Sequence, residues 1–147
     1  MPNAITMLSD DHREIEELFA QYETSKNFEE KQKIAETVFL KLEIHAKLEE
    51  EIFYPTVKNA TEHMETEVLV DQSKDEHAEV KNLITNLRSR TVEEERYYIK
   101  FQTLVDEVMH HVEEEEEKLF PKVQEEMSDK LEEMGDAMEE RKKTFSR

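Results

Sequence analysis

The chain has 147 residues, 39% of them charged, with a formal net charge of -18, one glycine, three prolines and no cysteine. Without thiols it forms no disulfide, iron–sulfur cluster or thiolate zinc site, so any metal must be held by nitrogen and oxygen. The negative charge repels nucleic acid and anionic membrane surfaces.

Few turn-formers and many Glu, Lys, Leu and Ala predict long helices joined by short loops. The first is expected from about Asn3 to Thr24, with Ile5, Leu8, Ile15, Phe19 and Tyr22 on one stripe. The second starts near Asn27, where Asn27 and Glu30 have capping-box spacing, and is expected to stop before Pro55. Its stripe carries Ile34, Val38, Leu42 and Ile52. A third is expected from Asn59 or Thr61 to about Arg90, with Val70, Val80, Ile84 and Leu87 in register. Thr91 and Glu94 repeat the capping spacing ahead of the fourth, which is led by Tyr97, Phe101, Leu104 and Val108 and expected to end or kink at Pro121. From Asp129 onward, Leu131, Met134 and Met138 mark a fifth, shorter amphipathic helix. The expected fold is all-α: an up-down-up-down antiparallel four-helix bundle over about 3–121 and a C-terminal helical tail over about 129–143, in one domain spanning 1–147. No apolar run approaches the roughly 20 residues of a spanning helix, and the N-terminal stretch lacks a signal-peptide apolar region, so the expected compartment is the cytoplasm.

An internal repeat overlies this pattern. HAKLEEEIFYP, from His45, aligns without gaps on HVEEEEEKLFP, from His111, sharing the His, three Glu and the Pro. Upstream, SDDHREI around His12 aligns with KDEHAEV around His77. The same helical hairpin is written twice.

Polar residues fill gaps in the apolar stripes. Stepping by three and four places His12 between Leu8 and Ile15, and His45 and Glu49 between Leu42 and Ile52. It places His77 before Val80, and His111 and Glu115 between Val108 and Leu119. Each long helix therefore offers the core one imidazole, and two add a carboxylate one turn on. An unpaired buried polar group costs about 1–3 kcal/mol, so six of them would consume much of a domain's stability of about 5–15 kcal/mol. Bound cations remove that cost, and six groups including two carboxylates suit a pair of ions better than one tetrahedral zinc. A lone core histidine is usually structural; four in a duplicated frame are not. Glu113, Glu114, Glu116 and Glu117 are expected to form a solvated face, as are Glu50 and Glu51. His110 is expected at the margin of the stripe and His63 in solvent.

At these residues the chain resembles the haemerythrin family, in its HHE cation-binding branch: a His followed by HxxxE near a proline-ended helix, twice, over about 3–121. The resemblance implies a non-haem di-iron centre with His12, His45, His77 and His111 as terminal ligands and Glu49 and Glu115 as bridges. Oxygen-carrying members have a further His one turn before the third-helix ligand, where this chain has Ser73, and an Asp five residues after the last His, where it has Glu115 at four. The lost imidazole implies an exchangeable position, to be filled by water, a carboxylate or His110. Reaction with, or sensing of, dioxygen, peroxide or NO is then favoured over reversible oxygen carriage. The cofactor expected is two iron ions, manganese or zinc also fitting the ligands, and the partner a small diatomic or peroxide ligand. Two other functions fit the sequence: an iron-sensing or iron-sequestering module without turnover, and a metal-free interaction module using the acidic surface and tail, as monomer or homodimer. No catalytic side chain beyond the metal ligands is singled out, and the sequence does not separate an enzyme from a sensor.

Overall fold

The computed structural model describes residues 2–145; Met1, Ser146 and Arg147 of the expected domain lie outside them. All regular elements among the described residues are helical. Helix α1, Ala4–Thr24, is capped by the Asn3 side chain, which accepts from the Ile5 and Thr6 N–H groups. Helix α2, Phe28–Leu48, is capped by Asn27, which accepts from Glu30 N–H at 2.8 Å.

The second helix does not stop before Pro55. It passes through a π turn, Glu49–Phe53, into α3, Tyr54–Ala60, with Pro55 in the first turn of α3. Its repeat does the same: α5, Glu95–Glu114, continues through a second π turn, Glu115–Leu119, into α6, Phe120–Met127. Tyr54 N–H donates to the Glu49 carbonyl and Phe120 N–H to that of Glu115, each bond spanning five residues. The widened turn separates each proline ring from the carbonyl it would strike in a regular turn, so the helix survives its proline.

Helix α4, Met64–Arg88, starts later than its apolar pattern predicts. Asn59 and Ala60 close α3, Thr61 is extended, and its hydroxyl accepts from His63 N–H at 3.1 Å. Thr91 does not cap α5; its carbonyl accepts from Glu94 N–H in a turn, and α5 begins at Glu95 without a side-chain cap. A short 3-10 turn, Ser128–Lys130, leads into α7, Leu131–Phe145.

Helix α1 packs on α2, α4 packs on α5, and α7 lies across α1 and α2. The bundle has two apolar cores. One gathers Phe19, Tyr22, Phe39 and Phe101 with Ile84 and Leu104. The other gathers Leu8, Phe53, Val57, Phe120 and Val123 with Leu131, Met134 and Met138 of α7. Between them, in the chain order of each helix, lie the buried polar residues His12, His45, Glu49, Ser73, His77, His111 and Glu115. Gly135 marks where α7 crosses the start of the chain, since a Cβ there would strike the Pro2 carbonyl. Beyond it, Arg141 pairs with Glu51 at 2.7 Å and Lys142 with Asp11 at 3.3 Å. No helix among the described residues is long and apolar enough to cross a membrane.

Met138 is fully buried in the second core. Met138→Ala is expected to cost about 2–5 kcal/mol in urea unfolding; a change under about 0.5 kcal/mol would mean that α7 is not part of the cooperative fold.

Candidate metal centre

All six predicted residues meet in the polar layer. Helical i, i+4 spacing sets His45 over Glu49 and His111 over Glu115, and each π turn begins at the glutamate. His12 is 1% exposed and both glutamates 0%. The side chains form two clusters, His12, His45 and Glu115 in one and His77, His111 and Glu49 in the other, with donor atoms within 4.8 Å of one another. Each cluster takes its imidazoles from one hairpin and its carboxylate from the other. Glu49 Oε1 lies 3.3 Å from His45 Nε2 and 2.9 Å from His77 Nε2. Glu115 Oε1 lies 3.2 Å from His12 Nε2 and 3.3 Å from His111 Nε2. Each carboxylate thus touches an imidazole of both clusters, which is where a bridging ligand must stand.

The outer nitrogen of every imidazole is held by a carboxylate from a neighbouring helix. His12 Nδ1 meets Glu116 at 2.7 Å, His45 Nδ1 meets Asp11 at 2.9 Å, His77 Nδ1 meets Glu50 at 2.7 Å, and His111 Nδ1 meets Glu76 at 2.7 Å. Such bonds keep the proton on Nδ1 and aim Nε2 inward. Glu50 and Glu116 are therefore not part of a solvated face as the sequence suggested. They are adjacent in sequence to the buried Glu49 and Glu115 and reach imidazoles of a neighbouring helix. The signal was present: an acid directly precedes His12 and His77, and another directly follows Glu49 and Glu115.

Tyr54 is a further member of the site that the apolar stripes did not reveal. Its hydroxyl donates to Glu115 Oε2 at 2.7 Å and lies 3.2 Å from His77 Nε2, with Ser73 hydrogen-bonded beside it. The phenol therefore stands on the Ser73 side of the site, whereas His110, 62% exposed, pairs with Glu76 and Glu114 instead. His63 is exposed, as expected. The repeat sets Tyr54 opposite Phe120, and the structure keeps that symmetry: Tyr54 lies against His77 and Phe120 against His12. The two halves differ at Tyr54 against Phe120 and at Ser73 against Leu8.

The electrostatics favour positive charge. Burial lowers the His45 imidazole, but the Glu49 charge beside it and the hydrogen bond and charge of Asp11 override it and raise the group to about 10. His77 and His111 are likewise raised, against burial, by Glu49 with Glu50 and by Glu115 with Glu49 and Glu76 respectively. Burial works to raise Glu49, yet His45 and its hydrogen bonds hold it well below the usual carboxylate range. Burial and the neighbouring carboxylates push the Tyr54 phenol well above its ordinary value, so it keeps its proton.

The fit to metal ions rests on atoms without partners. His12 Nε2, His45 Nε2, His111 Nε2, Glu49 Oε2 and Glu115 Oε1 are buried with no hydrogen bond. Some approach one another at 3.2–3.3 Å, without hydrogen-bond geometry. Two donors each about 2.1 Å from one ion stand about that far apart. A native fold leaves few such atoms orphaned, and here five of them face one layer. Nitrogen and oxygen donors of this kind suit a first-row divalent or trivalent ion.

Comparison with known proteins agrees. The family model "Hemerythrin HHE cation binding domain" matches residues 3–123. A solved structure described as an HHE cation-binding domain-containing protein, the Rv2633c homologue from Mycobacterium kansasii, superposes with a TM-score of 0.84 at 25% identity, covering 99% of this chain and 88% of that one. A DNA nickase from Nostoc sp. is 28% identical over 118 residues, 80% of this chain, which spans about a third (32%) of that protein's length.

Two outcomes follow from this geometry. Glu116→Gln and Glu50→Gln each weaken the hold on one imidazole, and metal affinity is expected to fall about 10–100-fold in competition titrations; unchanged affinity in both would remove these carboxylates from the centre. Because His45, raised to about 10, carries a proton at pH 7 that an ion must displace, metal uptake releases protons and affinity rises with pH. In the protein groups alone, the His45 contribution to stability is fully present below about 6.5 and is lost as pH rises through about 10. Metal uptake in weak buffer therefore acidifies the solution, and equal affinity at pH 6 and pH 8 would contradict the assignment.

Proposed function

The chain belongs to the haemerythrin HHE cation-binding family, and from that premise we propose that it holds two iron ions and reacts with dioxygen, peroxide or NO, with peroxide as the preferred ligand. His12, His45 and Glu115 would hold one ion, and His77, His111 and Glu49 the other, each glutamate reaching to both. Bound there, the ions would supply redox chemistry to a small ligand. The residues supply the rest. The four outer carboxylates fix the imidazoles, so little reorganisation accompanies a change of charge at the centre. The two apolar cores limit water from above and below. Tyr54, still protonated, holds a proton at Glu115 Oε2 inside the pocket.

The observation that carries this reading is the Tyr54 hydroxyl beside Ser73. Carriage requires only that dioxygen leave unchanged, whereas peroxide breakdown must move protons from one peroxide to another. A buried donor in the open corner suits conversion of two hydrogen peroxide molecules into two water molecules and one dioxygen, which needs protons moved within the site and no outside reductant. The nickase name of the Nostoc relative is not extended to this chain, because the match covers a third of that protein and a net charge of -18 repels a phosphate backbone.

Purified protein loaded with iron is expected to absorb in the near-ultraviolet and to speed peroxide loss. Glu49→Ala should lose both, and Tyr54→Phe, with iron content retained, should slow peroxide loss by about 10²-fold or more, as for loss of a positioned proton donor. Peroxide loss at the wild-type rate in Glu49→Ala would refute the enzymatic reading.

A further inference from the structure

A cavity of about 320 Å³ adjoins the imidazole side of the centre. Its inner wall is Ile15, Leu42, Val80, Ile84, Val108 and Val112, and its floor is the edges of the four histidines; neither Glu49 nor Glu115 lines it. The rim lies where α2 faces α4, around the small Ala46, and carries Glu43, Glu50, Lys47 and Lys81. Glu43 is tied to Arg88 at 2.7 Å and Glu50 to His77.

Its volume does not match the small ligands proposed above. Dioxygen, NO and hydrogen peroxide have two heavy atoms each, whereas an apolar cavity of about 150 Å³ already accepts benzene. This space is about twice that and lies at the lower end of the roughly 300–1,000 Å³ typical of organic-ligand pockets. Cavities cost stability in proportion to their volume, and the neighbouring core is filled by Phe39 and Phe101 at 0% exposure, so the chain packs tightly elsewhere. Aliphatic walls make water a poor occupant. Charge decides the rest: an anion must approach a chain of net charge -18, and a cation finds no carboxylate on the aliphatic inner wall, since Glu43 and Glu50 of the rim are already paired with Arg88 and His77.

We propose that this cavity binds an uncharged, apolar organic molecule of about a dozen heavy atoms, held against the imidazole edge of the centre. The inference takes from the proposed function only the neighbouring metal centre; the cavity exists whatever the ions do. A bound guest narrows the approach to the histidines.

Toluene is the probe, with benzoate as its charged counterpart, in calorimetric titrations of the protein before and after iron loading. Toluene should bind both forms and raise their melting temperatures, and benzoate should bind at least tenfold more weakly. Ile84→Trp and Val108→Phe, which fill the space, should each lose at least tenfold in toluene affinity while keeping two metal equivalents. No toluene binding to the wild type, or undiminished binding in a filled variant that melts cooperatively, overturns the proposal, as does benzoate binding as well as toluene. Failure to load iron with toluene binding intact would instead count against the metal reading, so the two failures are distinguishable.

Discussion

Burying Glu49 and Glu115 at 0% exposure between two apolar cores requires positive charge against each of them. Four imidazoles provide it in part, and the unbonded nitrogens and oxygens show that they do not provide all of it. The rest of the architecture follows from that demand. Each long helix contributes its histidine at the same level, and the apolar residues divide into one core above the layer and one below it.

The outer carboxylates turn the layer into a closed circuit. Asp11 on α1 holds the imidazole of α2, and Glu50, at the end of α2, holds that of α4. Glu76 on α4 holds that of α5, and Glu116, beyond α5, holds that of α1. Each helix orients the ligand of the next. The circuit also extends to the tail, because Asp11 pairs with Lys142 of α7 as well as with His45. A tail that would otherwise be a peripheral helix is thereby joined to the centre by two polar contacts and a shared core.

Symmetry and its departure divide the chemistry. The duplicated hairpins give equivalent ligands and equivalent π turns, while Tyr54 and Phe120 place a phenol over one half and a plain ring over the other. The cavity lies on the imidazole side, away from the phenol. The Tyr54 hydroxyl and the cavity therefore lie on different sides of the histidine and glutamate layer.

Much of this was legible in the sequence. Apolar spacing with period 3.6 revealed the helices, and gaps in that spacing revealed the six polar side chains that the structure buries together, because a helix fixes the angle of every side chain about its axis. The repeat showed that the pattern was duplicated. Spacing along one helix, however, carries no information on what stands opposite. Glu50 and Glu116 look like solvent residues on their own helices, and only the packed bundle shows each within reach of a neighbour's imidazole. The stop expected before Pro55 was wrong and Tyr54 went unnoticed, because the π turn, which rotates everything after Glu49 and Glu115, depends on tertiary contacts and not on local propensity. The sequence by itself determined a helical bundle with a histidine and glutamate layer, since amphipathic periodicity is a property of one chain segment. The tertiary structure alone decided the carboxylate circuit, the phenol beside Ser73 and the cavity, since each depends on the distance between helices.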